Sequence, residues 1–158
     1  MVNQNKHFDD EQVTDDDLYF MCYMIERVAR NIKQRNKYVV NKIGRDELWH
    51  LISLANVMHC ENPLAVEDRW IKDYGLEKGT FDITDVDRDL ARIIPHPLDM
   101  GDVYRRLILD TRLTKEDYVD GIVRVYNDPI CETIDNYNAS AFYEPSYVIA
   151  RAYFNKGF

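Results

Sequence analysis

Residues 45–75, RDELWHLISLANVMHCENPLAVEDRWIKDYG, carry the clearest helical pattern in the chain and hold both of its tryptophans. Apolar residues recur at spacings of three and four on either side of the Asn62-Pro63 pair, which is the period of helices with one buried face. Because proline is accepted in the first turn of a helix but cannot continue one, Asn62 is predicted to cap a helix that Pro63 opens. Gly75 is predicted to end that helix in a left-handed conformation. The stretch therefore predicts two helices that supply part of a core.

Similar signals predict further helices along the chain. Thr14 followed by three aspartates is typical of a helix start, and the apolar period that follows predicts a helix to about Arg35. Residues 38–43, YVVNKI, have the composition of a strand, but we predict a short helix ending at Gly44 because a solitary strand would lack a partner. The C-terminal half predicts helices from Leu98 to about Thr111, from Thr114 to Tyr126, from Pro129 onward and from Ser146 to Phe154.

Residues 75–97 form the least helical part of the sequence. They include two glycines and end with two X-Pro pairs. We expect a short strand at 80–83 and a helical turn near 87–93. The sequence thus predicts an all-α fold, a compact bundle of six to eight short helices with a small irregular or β element near residues 76–97. A length of 158 residues predicts a single helical domain, with two lobes (14–75 and 98–157) joined by 76–97 as the alternative.

Composition and charge exclude several classes of protein. No window approaches eighteen consecutive apolar residues, and the N-terminal stretch is acidic where a signal peptide needs a basic start and an apolar core. We therefore expect a cytoplasmic protein with no membrane span. Cys22, Cys60 and Cys131 are odd in number and form no CxxC pair, which predicts buried thiols rather than disulfides. The formal net charge of −8 makes nucleic acid an improbable ligand and favours a protein partner with a basic surface.

One short motif raises the question of metal chemistry. Glu47-x-x-His50 places a carboxylate and an imidazole one helical turn apart, as in di-iron bundles, but the chain has no second copy of the motif. A metal-assisted hydrolase using Glu47, His50 and His59 is the alternative functional hypothesis. A zinc site from His50, His59, Cys60 and His96 is conceivable, although these residues have no recognised spacing.

The other motifs argue against an enzyme. Asp85-x-Asp87-x-Asp89 resembles the start of a calcium-binding loop, but Leu90 stands where that loop needs glycine and His96 where it needs glutamate. The chain also lacks the nucleophile-elbow, phosphate-loop and dinucleotide-binding patterns. We therefore expect no cofactor and no metal, and we assign no catalytic residue.

Tyrosine is unusually frequent near the C-terminal end. Seven of the eleven tyrosines lie between residues 104 and 153, and residues 137–147, YNASAFYEPSY, alternate aromatic with small and amide residues. This composition is typical of binding loops, and it also occurs at the edges of helical cores. Because the segment joins two predicted helices, we predict that Phe142, Tyr143 and Tyr147 form a partner-binding or self-association surface. Tyr143 and Tyr147 are expected to be at least partly exposed.

Two stretches resemble a known group of bacterial proteins. The run LYFMCYMIERVARNIKQRN…NKIGRDELWHLISLANVMHCENP (18–36 and 41–63) resembles a widespread small helical domain of unknown function in gut Firmicutes and related bacteria. The run DVYRRLI…VDGIVRVYNDPICETIDNYNASAFYEPSYVIARAYFNKG (102–108 and 119–157) resembles companion proteins in the same gene clusters. Those genes often neighbour ADP-ribosyltransferase-like toxins. The resemblance implies a helical, non-catalytic accessory or antitoxin-like protein, and it supplies no functional residue.

These observations favour one functional hypothesis. We expect a non-enzymatic cytoplasmic protein-binding module, antitoxin-like or accessory to a toxin. Its partner would be a protein with a basic surface, such as the toxin itself. A homodimer is a further arrangement that the aromatic segment allows.

Overall fold

The computed structural model describes residues 3–8 and 11–158, and in this part of the chain all regular secondary structure is helical. The α-helices are α1 (Asp15–Ile32), α2 (Asn36–Ile43), α3 (Arg45–Ser53), α4 (Ala55–Met58), α5 (Pro63–Asp73), α6 (Pro97–Asp110), α7 (Tyr118–Tyr126), α8 (Ile130–Ile134) and α9 (Ser146–Asn155), with a 3-10 helix at Ala141–Tyr143. The described residues contain no strand, only an isolated bridge between Gln4 and Gln12. None of their helices is long and apolar enough to cross a membrane. The predicted all-α class is confirmed.

The predicted caps explain where several helices begin and end. Thr14 Oγ1 accepts a hydrogen bond from the Asp17 amide at 3.3 Å, and the Asp17 carboxylate accepts one from the Thr14 amide at 2.8 Å. Asn62 Oδ1 accepts from the Leu64 amide at 3.0 Å and so caps α5. Gly75 follows α5 with a φ of 58°. These side chains satisfy amides that the first turn of a helix leaves unpaired.

Some helix boundaries differ from the prediction. The helix predicted to reach Arg35 ends at Ile32, because Lys33 adopts a left-handed conformation with a φ of 56°. The helix predicted from Thr114 begins at Tyr118 instead, since the Asp117 side chain caps it by accepting from the Asp120 amide at 2.7 Å. The helix predicted before Asn62 is divided at Leu54 into α3 and α4. That division takes the count within the described residues to nine, one above the predicted range.

Residues 76–96 cross the end of α1 as an irregular segment. The predicted strand at 80–83 is absent from this described segment, whereas the predicted helical turn near 87–93 is present, since the Leu90 and Ala91 amides donate to the Asp87 carbonyl at 2.9 and 2.7 Å. The backbone amides of Gly79 and Phe81 donate to the carbonyls of Ile32 and Lys33 at 2.7 and 2.9 Å. A Cβ at Gly79 would lie 2.7 Å from the Lys33 carbonyl oxygen, so the close approach requires glycine. The segment is therefore fixed against α1 without forming a sheet.

The core is organised around the contact between α1 and α6. Gly101 allows this close crossing, because a Cβ there would lie 3.0 Å from the Tyr23 backbone. α1 also contacts α2, α3, α4 and α5, so it lies at the centre of the bundle. Buried apolar residues from 14–75 and from 98–157 belong to one continuous cluster. The irregular segment and the chain before α9 lie at the edge of this cluster.

Candidate groove for a protein partner

The three residues predicted to bind a partner occupy different environments. Tyr143 and Tyr147 expose 61% and 64% of their surfaces, which confirms their predicted exposure, whereas Phe142 exposes 6%. Phe142 is therefore part of the core edge and cannot be a component of an exposed face. Tyr143 lines a groove, and Tyr147 lies on α9. The structure thus assigns the two exposed tyrosines to two different surfaces.

The groove beside Tyr143 has a volume of about 630 Å³ and is open to solvent. Residues 89–93 form one wall, and residues 137–143 form the other. The lining combines an exposed apolar rim with buried aromatic rings: Leu90, Ile93 and Tyr143 are exposed, whereas Tyr137 and Phe142 are buried. Its volume is in the range of ligand-binding sites, and its rim leaves apolar surface in contact with water.

Hydrogen bonds hold both walls of the groove in place. The Asp87 backbone amide donates to Asn138 Oδ1 at 2.7 Å, which joins the two segments directly. From α1, Arg30 Nη2 donates to the Pro95 carbonyl at 2.7 Å and to the Tyr137 hydroxyl at 3.1 Å. One partly buried guanidinium therefore contacts both the second wall and the segment that follows the first wall. A cavity fixed in this way loses little conformational entropy when a partner binds.

Aromatic contacts set the shape of the second wall. The Tyr137 and Phe142 rings meet edge to face, with centroids 5.2 Å apart. The Tyr143 and Phe142 ring centroids are 4.2 Å apart, so the exposed tyrosine is supported by a buried phenylalanine. The 3-10 helix at Ala141–Tyr143 presents these rings from a short rigid turn. An aromatic side chain held by its neighbours is the kind of residue that contributes most to binding energy in interfaces.

A buried polar network lies beneath the groove. The Tyr137 hydroxyl donates to Glu26 Oε2 at 3.1 Å, and Arg30 Nε donates to the same oxygen at 2.9 Å. Asn36 Nδ2 donates to Glu26 Oε1 at 3.2 Å and to Asp135 Oδ2 at 3.3 Å. Both carboxyl groups are thus hydrogen-bonded, as buried polar groups need to be.

The second carboxyl group of the network, that of Asp135, is also held by Tyr104. The Tyr104 hydroxyl donates to Asp135 Oδ1 at 2.6 Å. Burial, and then the nearby Glu26 carboxylate, raise the pKa of Asp135 well above its ordinary value, although Tyr104, Arg35 and Asn36 oppose the shift. Because Asp135 resists ionisation, its repulsion with the Glu26 carboxylate on the other side of the Asn36 amide is reduced.

The same burial keeps the hydrogen-bond donors of the network in their protonated forms. The pKa of Tyr137 is raised by burial and then by the Glu26 carboxylate. Burial alone would lower the pKa of Arg30, but the Glu26 carboxylate and Tyr137 raise it overall. Tyr137 and Arg30 therefore remain donors at all ordinary pH values. The network positions the groove, and none of its donors is poised to exchange a proton near neutral pH.

The surroundings of the groove are acidic. Residues 82–92 include four aspartates and two arginines, and Asp89 and Arg92 lie in the lining itself. Asp82 is paired with Lys33 at 3.1 Å. Residues 82–92 therefore carry a formal net charge of −2 in a chain of −8.

The residues predicted for metal chemistry do not form a site. Glu47 and His50 on α3 and His59 after α4 are all exposed, and the His50 ring contacts the His7 ring edge to face at 5.3 Å. Within residues 3–8 and 11–158, no group of three or more His, Cys, Asp or Glu side chains is placed to hold a metal ion. The suggested zinc ligands are therefore not brought together.

Two of those suggested zinc ligands have other environments. His96 caps α6, with its Nδ1 accepting from the Leu98 amide at 3.0 Å. Cys60 is exposed, which contradicts its predicted burial, while Cys22 and Cys131 are buried as predicted. Cys60 lies two residues beyond the end of the short helix α4, so the spacing of the buried helical positions does not apply to it.

Sequence reasoning missed one wall of the groove. The sequence predicts only a helical turn for Leu90 and Ile93, although large apolar residues beside several charged ones are a signal of a binding surface. Arg30 was assigned no role, because its contacts with Pro95 and Tyr137 join residues that are 65 and 107 positions away.

Comparisons with protein-family models, with curated proteins and with solved structures give no match for this chain. The resemblance to the helical domain of gut bacteria therefore stays a prediction. The functional argument rests on the groove, its charges and its support.

Proposed function

We propose that the chain is a non-enzymatic protein-binding module that holds an apolar segment of a basic partner protein in the groove between residues 89–93 and 137–143. One observation carries this proposal. Leu90, Ile93 and Tyr143 are 66%, 65% and 61% exposed around one concave site with a buried aromatic base. Such a combination matches the arrangement in which a few apolar anchors supply most of the binding energy.

The rigidity of the groove supports a binding role over a purely structural one. Both walls are joined by the Asp87–Asn138 hydrogen bond and by the two donor contacts of Arg30. A loop that served only as a connection would need no such support for exposed apolar side chains. Preorganisation lowers the entropy lost on binding, so more of the contact energy appears as affinity.

The charge of the chain defines the chemistry of the partner. The aspartates of residues 82–92 and the overall charge of −8 attract a positively charged surface and repel acidic ligands. Binding through this groove should therefore weaken as the salt concentration rises, because screening reduces attraction between exposed charges. The resemblance implies an accessory or antitoxin-like protein, so a toxin is the candidate partner. A toxin with a basic surface would be neutralised if the groove covered the residues that it needs.

Quantitative affinity capture tests the proposal. The wild-type protein, a Leu90→Asp/Ile93→Asp variant and a Leu113→Asp control are immobilised and exposed to a lysate of the organism that encodes the chain. Leu113 is the matched control because it is 57% exposed and does not line the groove. We expect a basic protein to be retained by the wild type and the control, and retained at least about tenfold less by the groove variant, a change of about 1.4 kcal/mol.

Two results would overturn the proposal. The first is equal retention of every captured protein on the groove variant and on the wild type, provided that circular dichroism shows the same helix content. The second is the absence of any protein retained by the wild type above an empty matrix.

A further inference from the structure

The outer side of α9 carries exposed aromatic residues that lie outside the groove. Tyr147 and Phe154 are 64% and 61% exposed, and Phe158, just beyond the helix, is 56% exposed. Tyr147, Arg151 and Phe154 follow a spacing of four and three, which places them on one side of the helix. Ile149 and Ala152 are buried on the other side. α9 therefore presents apolar groups both to the core and to solvent, which is unusual for a helix at the surface of a monomer.

The charge at this surface differs from that of the rest of the chain. Residues 141–158 contain one acidic residue, Glu144, and two basic residues, Arg151 and Lys156, so this region carries a net charge of +1 in a chain of −8. A basic partner has no electrostatic reason to bind here. Two copies of the acidic chain, by contrast, repel each other least when this region lies between them.

The pattern along α9 is self-complementary when two helices run in opposite directions. Glu144 precedes the helix and Lys156 follows it, so antiparallel copies bring the acid of each next to the base of the other. The same alignment brings Tyr147 of one copy opposite Phe154 of the other. The helix dipoles also oppose each other, which favours the antiparallel arrangement.

We propose that the outer side of α9 binds a second copy of this chain, with the two α9 helices antiparallel around a twofold axis near Ala150 and Arg151. This contact is isologous, since each copy contributes the same surface. The Arg151 guanidinium lies 5.9 Å from the Tyr147 ring centroid of its own chain, so its charge is directed toward Tyr147 and away from the axis, which keeps the two Arg151 charges apart. A ten-residue helix is about 15 Å long, so two such helices bury a small interface. We therefore expect the dimer to dissociate on dilution. The proposal is independent of the partner that occupies the groove.

Sedimentation equilibrium tests the dimer with purified protein alone, at concentrations from about 10 μM to about 1 mM. We expect the wild type to shift from monomer to dimer over this range. Phe154→Glu should stay monomeric, because it places two buried acids in the contact, whereas Leu113→Glu should behave as the wild type. A wild type that stays monomeric, or a Phe154→Glu variant that dimerises normally, would overturn the proposal. So would a dimer lost in Tyr143→Glu and retained in Phe154→Glu, since that result places the contact in the groove.

Disulfide formation tests the direction of the helices. Tyr147→Cys and Phe154→Cys are each introduced with Cys60→Ser, which removes the exposed native thiol, while the buried Cys22 and Cys131 remain. After mild oxidation, the antiparallel contact predicts that a mixture of the two variants forms the mixed disulfide in preference to either symmetric one. Predominant symmetric disulfides in the separate variants would show parallel helices and contradict the proposed geometry.

Discussion

The groove beside Tyr143 and the outer side of α9 both expose aromatic residues, yet they differ in shape, charge and support. The groove is concave, the stretch 82–92 beside it carries four aspartates against two arginines, and the partly buried Arg30 donates hydrogen bonds to the segments on both sides of it. The α9 surface is convex and locally basic, and it lies on a helix whose other side packs against α6. Two exposed tyrosines only four residues apart, Tyr143 and Tyr147, therefore belong to surfaces suited to different ligands. Exposure alone does not define a binding site, because the neighbouring charges and the supporting contacts decide what can bind.

The largest expected effect is on the free energy of unfolding, which should depend strongly on a tyrosine that supports the groove and little on an exposed tyrosine of α9. Tyr137→Ala removes a ring that is 2% exposed together with a hydroxyl that donates to Glu26, and it should lower the free energy of unfolding by about 3–5 kcal/mol. Tyr147→Ala should change it by less than about 0.5 kcal/mol. Urea unfolding followed by circular dichroism measures both values. Similar losses in the two variants would remove the distinction between the surfaces.

The second effect concerns the pH dependence of the network under the groove. The pKa of Asp135 is raised in the folded state, so the folded chain binds more protons than the unfolded chain above the ordinary pKa of about 3.9. The free energy of unfolding should therefore fall as the pH rises from about 4 through the raised folded pKa, with a slope of up to about 1.4 kcal/mol per pH unit from this group.

Asp135→Asn isolates that contribution, because asparagine cannot ionise. Its free energy of unfolding should lack this part of the pH dependence. Glu132→Gln is the matched control, since Glu132 lies three residues before Asp135, is exposed and should leave the slope unchanged. Urea unfolding at several pH values between about 4 and 8 provides the comparison. An unchanged slope in Asp135→Asn would show that Asp135 ionises as readily in the folded as in the unfolded chain.

A third effect sharpens the assignment of the two exposed tyrosines. Tyr143→Ala should weaken binding of the captured partner by about 1–3 kcal/mol, because the ring lies at the rim of the groove. It should leave the melting temperature nearly unchanged, because the ring is exposed. Tyr147→Ala should leave partner affinity unchanged. Isothermal titration calorimetry gives both affinities. If Tyr147→Ala weakens partner binding as much as Tyr143→Ala, the groove and the α9 surface form one interface.

The smallest expected effect tests whether the walls need to be joined. Asn138→Ala removes the acceptor for the Asp87 amide, an exposed hydrogen bond, and should lower the free energy of unfolding by about 0.5–1 kcal/mol. Affinity for the partner should fall as well, because the two walls become less rigid, whereas dimerisation should be unaffected. Calorimetric titration and sedimentation separate these outcomes. Unchanged partner affinity would show that the hydrogen bond has no part in binding.

The sequence predicted those features that depend on neighbouring residues. Caps such as Thr14 and Asn62 act within three positions, so their chemistry is visible in the sequence and the structure confirms them. The helix start predicted at Thr114 was wrong because Asp117, three residues later, offers a competing cap. Local chemistry therefore predicts that a helix exists better than it predicts where the helix begins.

The groove depends on contacts that no local pattern reveals. Residues 89–93 and 137–143 come together across about 50 positions, and Tyr137 and Glu26 are 111 positions apart. The sequence identified the aromatic wall from its composition, but it could not indicate that Phe142 points inward and Tyr143 outward. That difference arises from the 3-10 helix at Ala141–Tyr143 and from the packing of Phe142 against Tyr137.

The most direct test of the two-surface account is sedimentation equilibrium of the captured partner mixed with the wild type, with Ile93→Asp or with Phe154→Glu. The account predicts that the wild type binds the partner and dimerises, that Ile93→Asp dimerises without the partner, and that Phe154→Glu binds the partner as a one-to-one complex. Loss of both partner binding and dimerisation in either folded variant would contradict the existence of two separate surfaces.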